Sequence, residues 1–161
     1  FFVIEFSTRK VFFAPIQPQP DGNYMRQVAR ILTDCEDGFL KGKHYLIHDR
    51  DPLYRSKGFH GILRSSGVEP IKLPAKSPDL NSIAERFVKS VKYECLNYLI
   101  LSSVQQLEYT LVQYQQYYHH ERIHQSLGRI IEPKHEIDEA ADIQCVERLG
   151  GLLKSYHRLA A

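Results

Sequence analysis

A mixed α/β fold is predicted by two observations. Short runs of apolar and β-branched residues alternate along the chain with segments whose apolar residues recur at helical spacing. Most of the switches between them fall at Gly, Pro, Asp, Asn or Ser, which break regular structure or cap it. The resulting order is a strand pair, helix, strand, helix, strand and then helices, which is that of an α/β domain and not of a bundle or a sandwich.

Phe1 to Phe6 reads as a strand and Lys10 to Ile16 as a second, with Ser7-Thr8-Arg9 as the short link that makes them a hairpin. Pro15, Pro18 and Pro20 end the second strand. Asp21-Gly22-Asn23 offers a cap to a helix carrying Met25, Val28, Ala29 and Leu32, and Asp37-Gly38 breaks it. Tyr45 to Asp49 is the next strand, short and apolar enough to be buried. Lys57 to Ser66 forms a short helix on Phe59, Ile62 and Leu63, closed by Gly67 in the place a helix end favours. Val68 to Leu73 is a strand, and the prolines of Pro74 to Asp79 keep that stretch a loop. From Asn81, residues Ile83, Ala84, Phe87, Val88, Val91 and Cys95 give a helical stripe. Ser102 or Ser103 caps a further helix built on Val104, Leu107, Leu111, Tyr114 and Tyr118. In the tail, Gly150-Gly151 suits a turn between two short strands.

With 161 residues the chain is long enough for one domain and a tail. A hydrophobic share of 43% and a charged share of 25% are ordinary for a soluble protein, and the net charge of +2 permits nucleic-acid binding without arguing for it. Cys35, Cys95 and Cys145 are odd in number and far apart, which argues against a disulfide framework or a cysteine zinc site and for a reducing cytosol. No apolar run approaches a membrane span, and no signal peptide is visible. The first residues, Phe1-Phe2-Val3-Ile4, start inside a strand-like run without Met, as a fragment would.

Two acids stand out. Asp49 ends the apolar run Tyr45-Leu46-Ile47-His48, and Glu85, 36 positions on, lies at the start of the helix that begins near Asn81. Strand ends and first helical turns are rigid places from which carboxylates can be brought together around hard cations such as Mg²⁺. Spacing alone is weak, since 19 acids in 161 residues give about two pairs at any chosen separation by chance. Asp51 shares the strand parity of Asp49, although before Pro52 it also reads as a turn starter. Ser82-Ile83-Ala84-Glu85 equally reads as a capping box, with Glu85 reaching back to the Ser82 backbone. Lys89 and Lys92 fall on the Glu85 face, as a solvated ion pair or as a basic face for DNA backbone, which Lys72, Lys76, Arg50 and Arg86 would enlarge.

His120-Glu121-Arg122-Ile123-His124 matches the H-E-x-x-H pattern of zinc hydrolases. On one helix, His120 and His124 would bind zinc and Glu121 would act as general base, with a third ligand such as Glu132 or Glu136. The preceding Gln115-Gln116-Tyr117-Tyr118-His119 is more polar than a buried catalytic helix should be, and no further His follows at the extended spacing.

His48-Asp49-Arg50-Asp51-Pro52, then Lys72-Leu73-Pro74-Ala75-Lys76-Ser77-Pro78-Asp79-Leu80-Asn81, then Ala84-Glu85-Arg86-Phe87-Val88-Lys89-Ser90-Val91-Lys92 together resemble the DDE catalytic core of bacterial insertion-sequence transposases and retroviral-type integrases. The likeness runs from Phe1 to about Pro133, and Arg148 to Arg158 is similar to the tail of one bacterial branch. It implies a ribonuclease-H-like mixed sheet flanked by helices over 1–133, with 134–161 as a C-terminal tail holding a short hairpin. It implies Asp49 and Glu85 as metal ligands for two Mg²⁺ or Mn²⁺ ions, with Lys72, Lys76, Arg86, Lys89 and Lys92 on DNA. The implied activity is DNA transposition or integration by a homo-multimer in the bacterial cytoplasm, at the nucleoid and away from membranes. The region Tyr118, Arg122, His124 and Leu127 resembles the segment that docks the last helix, with Ile123 where the family commonly has Pro. The family triad opens with an Asp on a first, central strand upstream of Phe1–Phe6, so the expectation is a truncated chain or a decayed remnant. Such a remnant would bind DNA or multimerise without catalysis, and only the complete parent would be active.

Overall fold

The computed structural model describes residues 1–74, 81–133 and 142–158. In chain order the elements are β1 (Phe2–Ile4), β2 (Val11–Phe13), α1 (Gly22–Leu32), β3 (Tyr45–His48), α2 (Lys57–Ser65), β4 (Glu69–Lys72), α3 (Ser82–Glu94), α4 (Val104–His120), β5 (Ile143–Arg148) and β6 (Leu153–Arg158). Single 3-10 turns lie at Pro52–Arg55 and Leu96–Tyr98. The mixed α/β class is as expected. The strands, however, form three separate two-stranded sheets among the described residues, not one mixed sheet. The chain divides into two compact units, Ala14–Ser82 and a unit made of Phe1–Phe13 with Ile83–Ala161.

In the unit Ala14–Ser82, the Asp21 carboxylate accepts from the Tyr24 amide to cap α1, which buries Met25, Val28, Ala29 and Leu32. The helix stops at Leu32, short of Asp37-Gly38. Thr33 ends it by bonding the Ala29 carbonyl with both its amide and its hydroxyl. Gly58 lets α2 approach α1 closely, since a Cβ there would lie 2.4 Å from Cδ of Arg26. Crossing through α2 makes β3 and β4 a parallel pair, with Leu46 opposite Pro70 and His48 opposite Lys72. The expectation of a fully buried strand at Tyr45–Asp49 fails here. Leu46 and His48 are buried, whereas Tyr45 and Ile47 are 65% and 55% exposed, because only one face of the pair is covered.

In the other unit, β1 and β2 form the expected antiparallel hairpin, pairing Val3 with Phe12. Its core gathers Val11, Phe87, Val91, Cys95, Tyr114, Tyr118 and Leu153, so β2, α3, α4 and β6 each contribute. Ser103 caps α4 by accepting from the Gln106 amide, and Gln106 returns a side-chain acceptor to the Ser102 amide. β5 and β6 pair in antiparallel fashion from Ile143–Arg158 to Arg148–Leu153. Their turn runs through Leu149, Gly150 and Gly151 with φ of 53°, 67° and 88°, a path that favours glycine. Among the described residues, no helix is long and apolar enough to cross a membrane, and Cys35, Cys95 and Cys145 are free thiols.

Candidate acidic site and basic helix face

Asp49 follows the last residue of β3 and is exposed. One carboxylate oxygen, Oδ1, accepts from the Asp51 amide at 2.9 Å, which restrains the side chain, while Oδ2 has no bond among the described residues. Asp51 itself caps the 3-10 turn at Pro52–Arg55 through a 2.8 Å bond from the Leu53 amide, the turn-starting role its place before Pro52 suggested. Arg50 reaches back to the Leu73 carbonyl at 3.1 Å, tying the Asp49 loop to the residue after β4.

Glu85 occupies the first turn of α3 and is exposed. Among the described residues it makes neither a hydrogen bond to Ser82, as a capping box requires, nor an ion pair with Lys89. Among the described residues its carboxylate is open to solvent, at a helix N-terminus whose dipole favours negative charge. Arg86, Lys89 and Lys92 are exposed on the same helix, while Phe87 and Val91 face the core. Glu94, the other acid of α3, is withdrawn from that face. Arg122 holds it with bonds of 2.7, 2.9 and 3.2 Å, and the Tyr114 hydroxyl donates to it at 3.0 Å. Burial and this carboxylate drive the Tyr114 phenol strongly upward from its usual range.

Lys72 is exposed at the end of β4. Lys76 lies outside the described residues. Asp49 and Lys72 belong to the unit Ala14–Ser82, and Glu85, Arg86, Lys89 and Lys92 to the other. Taken singly, Asp49 and Glu85 are each exposed and offer hard carboxylate oxygens of the kind divalent cations take, without an ion pair among the described residues.

The zinc-hydrolase reading of His120-Glu121-x-x-His124 is corrected. α4 ends at His120, and Glu121 is its C-cap, so His120 and His124 do not share a helical face. His124 is buried with Nε2 2.7 Å from the Tyr118 carbonyl, to which it donates. Glu121, its side chain only 8% exposed, accepts from Arg148 at 2.6 and 2.8 Å and from the Ser155 hydroxyl at 3.0 Å. It anchors the β5–β6 hairpin and is not available as a base.

A different group does gather potential ligand atoms: those of His119, His120 and Glu132 lie within 4.8 Å of one another. Their hydrogen bonds already commit them. His119 Nε2 accepts from the Val11 amide at 2.8 Å, so the proton sits on Nδ1, and burial lowers its pKa to about 4. His120 Nδ1 donates to the Glu132 carbonyl at 2.7 Å, and the Glu132 carboxylate is ion-paired to Lys10. Among the described residues, His120 Nε2 and the second Glu132 oxygen have no such bond. Sequence reasoning missed His119, Glu94 and Arg148. Each binds a partner more than 25 positions away, and no local spacing signals that.

Residues 66–131 match the integrase core domain family. The matched stretch contains Lys72, Glu85, Arg86, Lys89 and Lys92 but not Asp49. An uncharacterized transposase-like protein of Haemophilus influenzae is 33% identical over 97 residues, which cover 60% of this chain and 45% of that protein. A chain from the simian T-cell lymphotropic virus intasome in complex with PP2A regulatory subunit B56 gamma superposes with a TM-score of 0.60 at 12% identity. That match covers 96% of this chain and 58% of the other, and at such identity it is a likeness of fold. This chain thus spans about half the length of either relative. The resemblance to DDE integrase and transposase cores rests on all three similarities.

Proposed function

We propose that this chain is the DNA-processing core of a transposase or integrase with a ribonuclease-H-like fold. Residues 1–133 form the core, and 134–161 a tail that returns as a hairpin. It works as a homo-multimer on DNA in the bacterial cytoplasm. The observation that carries this reading is Glu85: an exposed carboxylate in the first turn of α3, without an ion pair among the described residues, inside the stretch that matches the integrase core domain family, on a helix whose solvent side carries Arg86, Lys89 and Lys92. Glu94 and Glu121, by contrast, are part-buried and each held by an arginine.

In the proposed chemistry, Asp49 and Glu85 present hard oxygens to divalent cations, Mg²⁺ or Mn²⁺. Such ions supply Lewis acidity on both sides of a phosphate and favour in-line displacement. Arg86, Lys89, Lys92 and Lys72 hold the phosphate backbone, positioning DNA without reading its sequence. The reaction, carried out by the complete parent, is hydrolysis of a phosphodiester that frees a 3′-hydroxyl, followed by in-line attack of that hydroxyl on a target phosphodiester, which forms the new P–O bond as the target's own 3′-oxygen leaves.

The test is Mn²⁺ binding followed by electron paramagnetic resonance, paired with duplex binding as a function of salt. Asp49→Asn and Glu85→Gln should each weaken Mn²⁺ binding about tenfold or more. Unchanged Mn²⁺ affinity in either variant removes that residue from the site. Salt-dependent duplex binding by a chain with no affinity for Mn²⁺ would instead favour a non-catalytic DNA-binding remnant.

A further inference from the structure

The residue before Asp49 is a buried histidine whose bonding is unusual. His48 closes β3 with 7% of its surface exposed. Its Nδ1 lies 2.7 Å from the Asp49 carbonyl oxygen. A carbonyl only accepts, so Nδ1 carries the proton and donates, and Nε2 is left with its lone pair. That Nε2 is buried and has no hydrogen-bond partner among the described residues. The ring is wedged in place: it stacks on Tyr54 with centroids 4.7 Å apart and an interplanar angle of 27°, and it packs on His60 at 5.5 Å.

An aromatic side chain without nitrogens would fill this slot and leave nothing unsatisfied. The one directed bond that distinguishes histidine here is the bond to the Asp49 carbonyl. Asp49 is thereby gripped twice. His48 holds its peptide oxygen, and the Asp51 amide holds Oδ1. With backbone and side chain both fixed, Oδ2 is delivered in one direction.

We propose that His48 is a positioning residue that pre-sets the Asp49 carboxylate for a divalent cation. The inference rests on Asp49 being the ligand proposed above. Groups of this kind, one bond behind a ligand, commonly change metal affinity 10- to 100-fold when altered.

Two isosteric replacements separate this role from simple packing. The amide nitrogen of Asn falls near the place of Nδ1 and can still donate to the carbonyl, whereas that of Gln falls near Nε2 and cannot. The first readout needs no metal: three-bond couplings that report the Asp49 χ1 rotamer by nuclear magnetic resonance. One rotamer is expected in the wild type and in His48→Asn, and averaging over rotamers in His48→Gln. The second is Mn²⁺ affinity, expected to fall about tenfold in His48→Gln and to stay within about twofold in His48→Asn. Thermal melting of both variants guards against unfolding, and His48→Phe tests whether ring packing alone suffices. A single Asp49 rotamer retained in both His48→Gln and His48→Phe overturns the proposal. Rotamer averaging in His48→Gln with Mn²⁺ binding indifferent to Asp49→Asn would uphold the mechanical role and overturn the metal reading, so the two fail separately.

Discussion

The C-terminal end of α4 and the first turn of α3 are both rich in groups that sequence patterns associate with metals, and they are used in opposite ways. At the end of α4, nearly every polar side chain is committed: His119 to the Val11 amide, Glu121 to Arg148 and Ser155, Arg122 to Glu94, His124 to the Tyr118 carbonyl. At the first turn of α3, Glu85 is exposed and has no partner among the described residues, and the basic residues around it are likewise exposed. A motif match therefore says which chemistry a residue type could perform, and the hydrogen-bond inventory says whether it remains available. H-E-x-x-H meets the first condition and fails the second.

The sharpest way to break this contrast is to exchange the costs. Glu121→Ala should destabilise the protein by about 3 kcal/mol, because it leaves the largely buried Arg148 guanidinium without its carboxylate and frees Ser155. Glu85→Gln should change stability by less than about 0.5 kcal/mol, as surface changes usually do, yet abolish most of the Mn²⁺ affinity. Urea unfolding and Mn²⁺ titration of the two variants form a crossed design. Equal effects on both axes would dissolve the distinction drawn between the two regions.

His119 allows a second test by pH. Burial lowers its pKa from 6.5 to about 4, so the native state binds fewer protons than the unfolded chain between those values. Its contribution to stability is complete above pH 6.5 and is lost progressively as pH falls toward 4. Between pH 7.5 and pH 5 the loss should be about 2 kcal/mol. His119→Gln keeps an acceptor for the Val11 amide but cannot titrate, so its stability should fall less over the same range. A parallel pH profile in the variant would mean that other groups govern acid unfolding.

Much of this was legible in the chain itself. The stripe Met25, Val28, Ala29, Leu32 is the buried face of α1, and Phe87 and Val91 are that of α3, because helical burial follows local periodicity. Ser103 and Gly150-Gly151 mark a cap and a turn whose chemistry is also local. What periodicity could not reveal was the exposure of Tyr45 and Ile47, since an apolar run does not say how many of its faces are covered. Nor could it find the Arg122–Glu94–Tyr114 network, whose members are 20 and 28 positions apart. Tyr118, Arg122 and His124 were recognisable as a docking group, although the bonds they form were not. For the site, the sequence pointed to Glu85 and left a capping box as its rival, which only coordinates could remove.

The smallest expected effect concerns the basic face of α3. Lys89→Ala and Lys92→Ala should leave folding unchanged, since among the described residues neither lysine has an ion pair to lose. Each phosphate contact removed should lower the slope of log affinity against log salt by about one, with a modest and sequence-independent loss of duplex affinity. Lys10→Ala is the matched control, because Lys10 is already paired with Glu132 and should not alter the slope. If all three variants reduce it alike, duplex binding follows overall charge, and the α3 face holds no special place in it.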